Sequence, residues 1–443
     1  MNLQLASSPW HNRENWTSPS AAAVVAQASR LRMSHRPSRL VCKATGLGNR
    51  DGRRDFGSRD GGPANPAVAS RRACWNRNAA FTLLVAAAAA GLIEVAAQES
   101  SSVVQPRLPR TNLLLFHDKR GEVLPVKSKT NWQKRRAEIL RGFRQIAGPL
   151  PGREKRCRLD MRVDSVTNCG SYERWLITYQ SEPGSRAPAF LCIPKTALTS
   201  RKKVPAILCL HPTDMQYGHR VVVEKMRDHY RTYAADLAER GFVTLAPAYP
   251  VMANYQPDLK ALGWQSGTLK AVWDNIRGLD LLDSTPFVKH GKYGAIGHSL
   301  GGHNAIYTAV HDDRIKVLVS SCGFDSFLDY YGGDPKNWQP ERGWCQTRYM
   351  LKLAEYRGRL DEIPFDFHEL LGALAPRPVF VNAPLRDGNF RARSVDEIVK
   401  AASAVYRLHG APQNLRVAHP DCEHDFPEAE REQAYQLLEE KLR

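Results

Sequence analysis

Long apolar runs are scarce in this 443-residue chain, which argues first against a helix that crosses a bilayer. The mostly apolar stretch Ala79 to Ile93 has 15 residues, whereas a spanning helix needs about 20. Metal-ligand spacing is also missing. Seven cysteines follow residue 97, at 157, 169, 192, 209, 322, 345 and 422, with no C-x-x-C pair among them. An odd number leaves at least one free thiol. Cys209 and Cys322 fall on strand-like runs and read as buried, while Cys157 with Cys169, or Cys345 with Cys422, could pair in an oxidising compartment. Aromatics are not interleaved with the basic runs Lys134-Arg135-Arg136 and Arg201-Lys202-Lys203, so these read as solvated faces rather than a nucleic-acid surface. The formal charge of +18 shrinks too: residues 1–97 carry 13 basic and 5 acidic side chains, leaving 50 against 40.

The first 97 residues read as a leader. Residues 1–70 are rich in Arg, Ser, Gly and Asn without a sustained apolar period, the composition of a disordered segment. Residues 71–97 follow the pattern of a secretory signal peptide: Arg71, Arg72 and Arg77, the apolar run, then Val95-Ala96-Ala97, with cleavage after Ala97. A signal this far from Met1 is expected only if translation starts later, for example at Met33. The predicted location is secreted or periplasmic.

What the sequence does contain is a serine in a special setting. Tyr293-Gly294-Ala295-Ile296 reads as a strand, Gly302 to Val310 as a helix, and between them stands Gly297-His298-Ser299-Leu300-Gly301. A G-x-S-x-G turn from strand to helix strains the serine backbone and projects its hydroxyl, with small residues on both sides to relieve crowding. Such a nucleophile needs an acid and then a histidine, each after a later strand. Arg377 to Ala383 reads as a buried strand that leads to Asp387, and Leu415 to Ala418 as a short strand that leads to His424. Asp325, after the strand Lys316 to Ser320, is the alternative acid, and His419 the alternative base. His298 and His303 read as packing or pocket-lining residues.

An oxyanion hole completes the set. One donor is the N–H of Leu300; the other comes from the loop after the strand Val204 to Leu210. Pro212 has no N–H to give, so the donor is the amide of Thr213 or Asp214, with His211 bracing the loop. An ordinary turn after a strand is the competing reading of that loop.

Together, Gly297 to Gly302, Asp387 and the run Glu423-His424-Asp425-Phe426-Pro427 resemble the serine α/β-hydrolases related to acetyl xylan esterases and dienelactone hydrolases. The resemblance covers about Asn112 to the C-terminus. It implies an α/β-hydrolase fold, carboxylic ester hydrolysis, no cofactor and no metal. It also implies Ser299 as nucleophile, His424 as base and Asp387 as acid. Dienelactone hydrolases carry cysteine where this chain has Ser299, so the esterase side of the likeness is favoured.

The organisation agrees with that expectation. A helix from the capping box Thr130 to Gln133 ends at Gly148-Pro149, within an N-terminal helical extension of residues 98–170. The catalytic domain, residues 171–443, alternates strands and helices, which predicts a doubly wound, mostly parallel sheet. Residues 325–374, after the sixth strand, exceed one crossover helix and read as a cap. Its Trp338 and Trp344, with Trp264 and the histidines 211 and 298, are candidate substrate contacts; an aromatic core of the cap's own is the other reading. The expected partner is a small-molecule or carbohydrate ester, with no nucleic acid and no stable membrane span after signal cleavage. Two rivals stand. A prolyl oligopeptidase-type peptidase would need a propeller, for which the about 75 residues between Ala97 and the first strand are too few. A non-catalytic binding protein on this scaffold would be expected to lack a triad member.

Overall fold

A computed structural model describes residues 106–200, 202–226 and 231–443. The leader and signal-peptide expectations lie outside the described residues. A small antiparallel ribbon comes first, β1 (Leu115–His117) with β2 (Val123–Pro125). All other strands among the described residues share one nine-stranded sheet: β3 (Arg162–Asn168), β4 (Tyr172–Glu182), β5 (Ser185–Pro194), β6 (Val204–Leu210), β7 (Val243–Pro247), β8 (Val288–His298), β9 (Ile315–Ser321), β10 (Val379–Asn382) and β11 (Leu415–Ala418). Their spatial order is β11-β10-β9-β8-β6-β7-β5-β4-β3. From β11 to β7 every pairing is parallel; β5, β4 and β3 add an antiparallel wing. The sheet therefore begins upstream of residue 171, because β3 pairs along β4 and belongs with it.

Helices cover both faces. They are α1 (Lys129–Ala147), α2 (Lys195–Thr199), α3 (Tyr233–Glu239), α4 (Gly267–Asp283), α5 (Leu300–His311), α6 (Phe367–Leu374), α7 (Ala392–Leu408) and α8 (Glu428–Leu442). On one face α3 and α8 press Tyr233, Leu237 and Leu438 onto Ile207, Ile296 and Val319 of the central strands. On the other lie α4 and α5. The parallel strands read as unbroken apolar runs because both faces are covered: β6 is buried from Pro205 onward and β7 throughout.

Helix α1 starts earlier than the capping box at Thr130 implied. Ser128 is the N-cap, its hydroxyl accepting from the Asn131 N–H, and Asn131 Oδ1 accepts in turn from Lys127 N–H. Thr130 thus sits inside the first turn. Gly148, at φ 103°, ends the helix as expected. All seven cysteines among the described residues are free thiols, including both pairs considered for bridging.

One buried polar cluster ties the segment before β3 to α4. Lys270, wholly buried, donates to Asp274 at 2.6 Å and Ser181 at 3.1 Å and lies 3.0 Å from Glu182. Lys155 reaches the same Glu182 at 2.5 Å. Two carboxylates face two ammonium groups, so each buried charge is compensated. Replacing Lys270 with Met leaves Asp274 uncompensated, and the expected cost is about 3–5 kcal/mol. Urea unfolding of K270M against the wild type measures it; an unchanged midpoint would contradict the reading of this cluster as a structural tie.

Candidate active site

Three strand ends converge on Ser299. It follows β8 directly and caps α5 with φ 54° and ψ −120°, a region that non-glycine residues seldom occupy. Its N–H donates to Ser321 O, at the end of β9, at 2.8 Å. The glycines around it answer to close approach. A Cβ on Gly297 would run into the carbonyl of Gly301, and one on Gly301 into the carbonyl of Leu210 at the end of β6. Gly302 meets Gly323 Cα at 2.8 Å in the same construction. Packing from two neighbouring strands therefore holds the strained turn in place.

Asp387 and His424 meet beside it. His424 Nδ1 donates to both Asp387 oxygens at 2.9 Å. Asp387 also accepts from the N–H groups of Asn389 at 2.8 Å and Phe390 at 3.1 Å. Burial alone would raise its pKa, but these hydrogen bonds and the imidazole outweigh burial and hold the carboxyl below its usual range. The carboxyl is 1% exposed and the imidazole 22%, so the pair presents its histidine outward. That ring lies 5.0 Å from the ring of His298, which precedes Ser299 and so sets the imidazole next to the turn.

Of the competing residues, His419 is engaged elsewhere, and Asp325 keeps one buried oxygen without a hydrogen-bond partner. His419 donates to Ala383 O and pairs with Asp396 through its other nitrogen. Asp325 is fully buried and accepts at 3.3 Å from the Arg391 N–H. Burial, opposed by that N–H, pushes its pKa to about 8. His298 binds Ser321 Oγ through Nδ1.

Leu300 contributes the first N–H of α5, where no preceding turn offers a carbonyl. Across from it, His211 accepts from the Tyr249 N–H through Nε2 and so donates from Nδ1 to Pro212 O, which fixes the loop after β6. Thr213 Oγ1 and Tyr349 OH stand 3.0 Å apart, joining this loop to the cap. The Asp214 carboxylate accepts from Gln216 and Tyr217 N–H and shapes the turn.

The aromatic candidates separate. Trp344 packs on His303 and on Phe390, whose ring is 5.9 Å from His424, and so stands in the wall around the pair. Trp338 is fully buried against Phe327 and Tyr330 and fills the cap's own core. Trp264 donates to Glu182 and lies beneath Lys155 and Lys270, in the buried ionic cluster rather than in this wall.

Sequence reasoning missed the polar support under the pair. Asn382 donates to Ser321 Oγ at 2.8 Å and to Asp425 O at 2.9 Å, and Cys322 Sγ lies against Asp425 O at 3.2 Å. A fully buried asparagine in an otherwise apolar strand was the available signal. Among the described residues, Cys322, Asp387 and His424 also form a group of metal-ligating atom types within 4.8 Å. Both Asp387 oxygens are already turned to the imidazole.

Solved glucuronoyl esterases are similar to this chain in fold. That from Solibacter usitatus gives a TM-score of 0.59 at 20% identity, covering 77% of this chain and all of that one. A carbohydrate esterase family 15 enzyme from Caldicellulosiruptor kristjansonii gives 0.55 at 17%, over 78% and 92% of the two chains. The chain has the α/β-hydrolase fold. In sequence, a family model for fungal glucuronyl esterase matches residues 262–410. The putative hydrolase YtaP of Bacillus subtilis is 26% identical over 322 residues, 69% of this chain and its own full length. The likeness is thus to esterases within the serine α/β-hydrolases.

Four histidines of this α/β-hydrolase are buried neutral: burial pushes His211 to about 4, His219 to about 3, His303 to about 3 and His311 to about 4. Unfolded, each titrates near 6.5. Between those values the unfolded chain binds protons that the folded chain refuses, so stability falls as pH drops from about 6.5 towards about 4. The urea midpoint should fall steadily between pH 7 and pH 5; a flat midpoint over that range would contradict the neutral burial of these rings.

Proposed function

We propose that this protein is an exported serine carboxylic ester hydrolase acting on carbohydrate esters. The observation that carries the reading is the His424–Asp387 pair at 2.9 Å beside a strained strand-to-helix serine. Ser299 Oγ attacks the ester carbonyl while His424 Nε2 takes its proton. Asp387 holds the imidazole in the tautomer that leaves Nε2 free to accept, and then stabilises the imidazolium. The Leu300 and Thr213 amides hold the oxyanion. The alkoxide leaves with the proton from His424, and water, deprotonated by the same imidazole, releases the acid from Ser299.

The likeness to glucuronoyl esterases supports a substrate whose sugar stands on the acyl side, as a uronic acid ester. An acetylated polysaccharide, with the sugar on the alcohol side, is the second reading, favoured by the resemblance of the three motifs to acetyl xylan esterases. The signal-peptide pattern of residues 71–97 supports export, and no helix among the described residues is long and apolar enough to cross a membrane.

The chain beginning at Gln98 should hydrolyse p-nitrophenyl acetate, and Ser299→Ala and Asp387→Asn should each lower kcat by about 10⁴-fold or more. Comparing methyl glucuronate with acetylated xylan then ranks the two substrates. A folded Ser299→Ala protein that keeps wild-type turnover would overturn the mechanism.

A further inference from the structure

The loop after β6 has two sides. Its first residue bears on the serine turn, since a Cβ at Gly301 would meet the His211 carbonyl oxygen at 3.0 Å, next to the Leu210 carbonyl that ends β6. Its later residues line a groove of about 380 Å³ against the antiparallel wing, within the size range of small-ligand sites. Arg174 of β4, Phe190 of β5, Asn254, and the loop's own His219, Arg220 and Glu224 form its walls. We propose that this groove binds a saccharide unit of the glycan that carries the ester, an inference that rests on the carbohydrate-ester reading above.

His219 is the first ground. It is 1% exposed, yet neither ring nitrogen has a hydrogen-bond partner. A buried polar atom left unpaired costs about 1–3 kcal/mol. Its ring is neutral, so one nitrogen donates and the other accepts, which a hydroxyl group satisfies and a purely anionic or apolar ligand does not. The ring lies 4.8 Å from Phe190 and lines the groove.

Charge and shape supply the second ground. Arg174 and Arg220 both pair with Glu224, at 2.6 and 2.7 Å, which leaves one net positive charge in a wall of donors and acceptors. The Arg174 guanidinium lies 5.8 Å from the centre of the Phe190 ring. Planar polar groups held in place suit the vicinal hydroxyls of a sugar ring, whereas phosphate would meet Glu224 and an apolar ligand would strand every polar group. The groove is also coupled to the site: the ring of His219 stands 6.2 Å from that of His211, which braces the loop carrying Thr213. A saccharide seated there steadies the loop next to the reacting carbonyl.

Binding is tested without turnover by titrating the full-length Ser299→Ala protein with xylotetraose and with tetragalacturonate, followed by calorimetry. Saturable binding of either supports the groove, and a preference for the acidic one shows that the spare positive charge is used. Adding Arg220→Ala, whose side chain is half exposed and so tolerant of change, or Asn254→Ala should weaken that binding at least fivefold. His219→Phe, which keeps the ring volume, should do likewise. In the active protein the same changes should lower kcat/KM for an oligosaccharide ester relative to p-nitrophenyl acetate, through KM. Absence of binding by both saccharides, or binding that none of the three variants alters, overturns the groove. The two readings fail separately. An inactive wild type whose Ser299→Ala form binds saccharide through these residues sinks the ester reading alone, and an active esterase without such binding sinks the groove alone.

Discussion

The close approach of backbone to backbone at the end of the central strands is the constraint on which the rest depends. β6, β8 and β9 end within contact of one another, and only hydrogen-sized side chains at 297, 301 and 302 allow α5 to leave β8 so abruptly. That approach forces Ser299 into a positive φ. It also brings three otherwise distant loops to one edge of the sheet: the loop after β6, the serine turn, and the segment after β9. They come together at the point where strand order reverses, which is where open α/β sheets place ligands. The strain at Ser299 is sustained because the Ser321 carbonyl and the packing of Gly302 on Gly323 leave the turn no other conformation.

A second layer of interactions ties these loops to one another. Asn382 joins β10 to β9 through Ser321 Oγ and also holds the Asp425 carbonyl, so the loop bearing His424 is tied to the strand that leads to Asp387. The cap is fastened from below. Asp366 caps α6 and accepts from Ser326 Oγ at 2.8 Å, while Arg110 meets it at 3.0 Å. Arg107 and Arg135 both reach Glu369 on the same helix. The arginines of the segment before the sheet therefore help fix the region that supplies Trp344 and Tyr349 to the wall. This gives the N-terminal extension a physical part in placing that wall.

Legibility in the sequence followed the range of the interaction. The turns that carry Ser299, Asp387 and His424 are each local patterns, in which a strand run and its turn residues stand side by side, and so the placing of these residues at strand ends could be read directly. The parallel part of the sheet was legible for the same reason, because strand and helix runs alternate in order. What could not be read depends on neighbours far away in the chain. β3 is a polar, exposed run that becomes a strand only because β4 offers it an edge. Trp264, Trp338 and Trp344 look alike in sequence, yet one stabilises a buried ion cluster, one fills the cap and one stands near His424. Asn382 and Cys322 are equally silent until β9, β10 and the loop after β11 are placed together. Ser128, rather than Thr130, caps α1 because its hydroxyl is the one that reaches a first-turn N–H, a choice between neighbours that composition does not decide.

The central claim is that Ser299 carries an acyl group during turnover. The most direct measurement is peptide mapping by mass spectrometry after mixing the enzyme with p-nitrophenyl acetate and quenching in acid within the first turnover. An acetyl adduct on the peptide that contains Ser299, absent from Ser299→Ala, is the predicted result. Ester turnover without any adduct there, or an adduct on another residue that survives the Ser299→Ala change, would contradict the account.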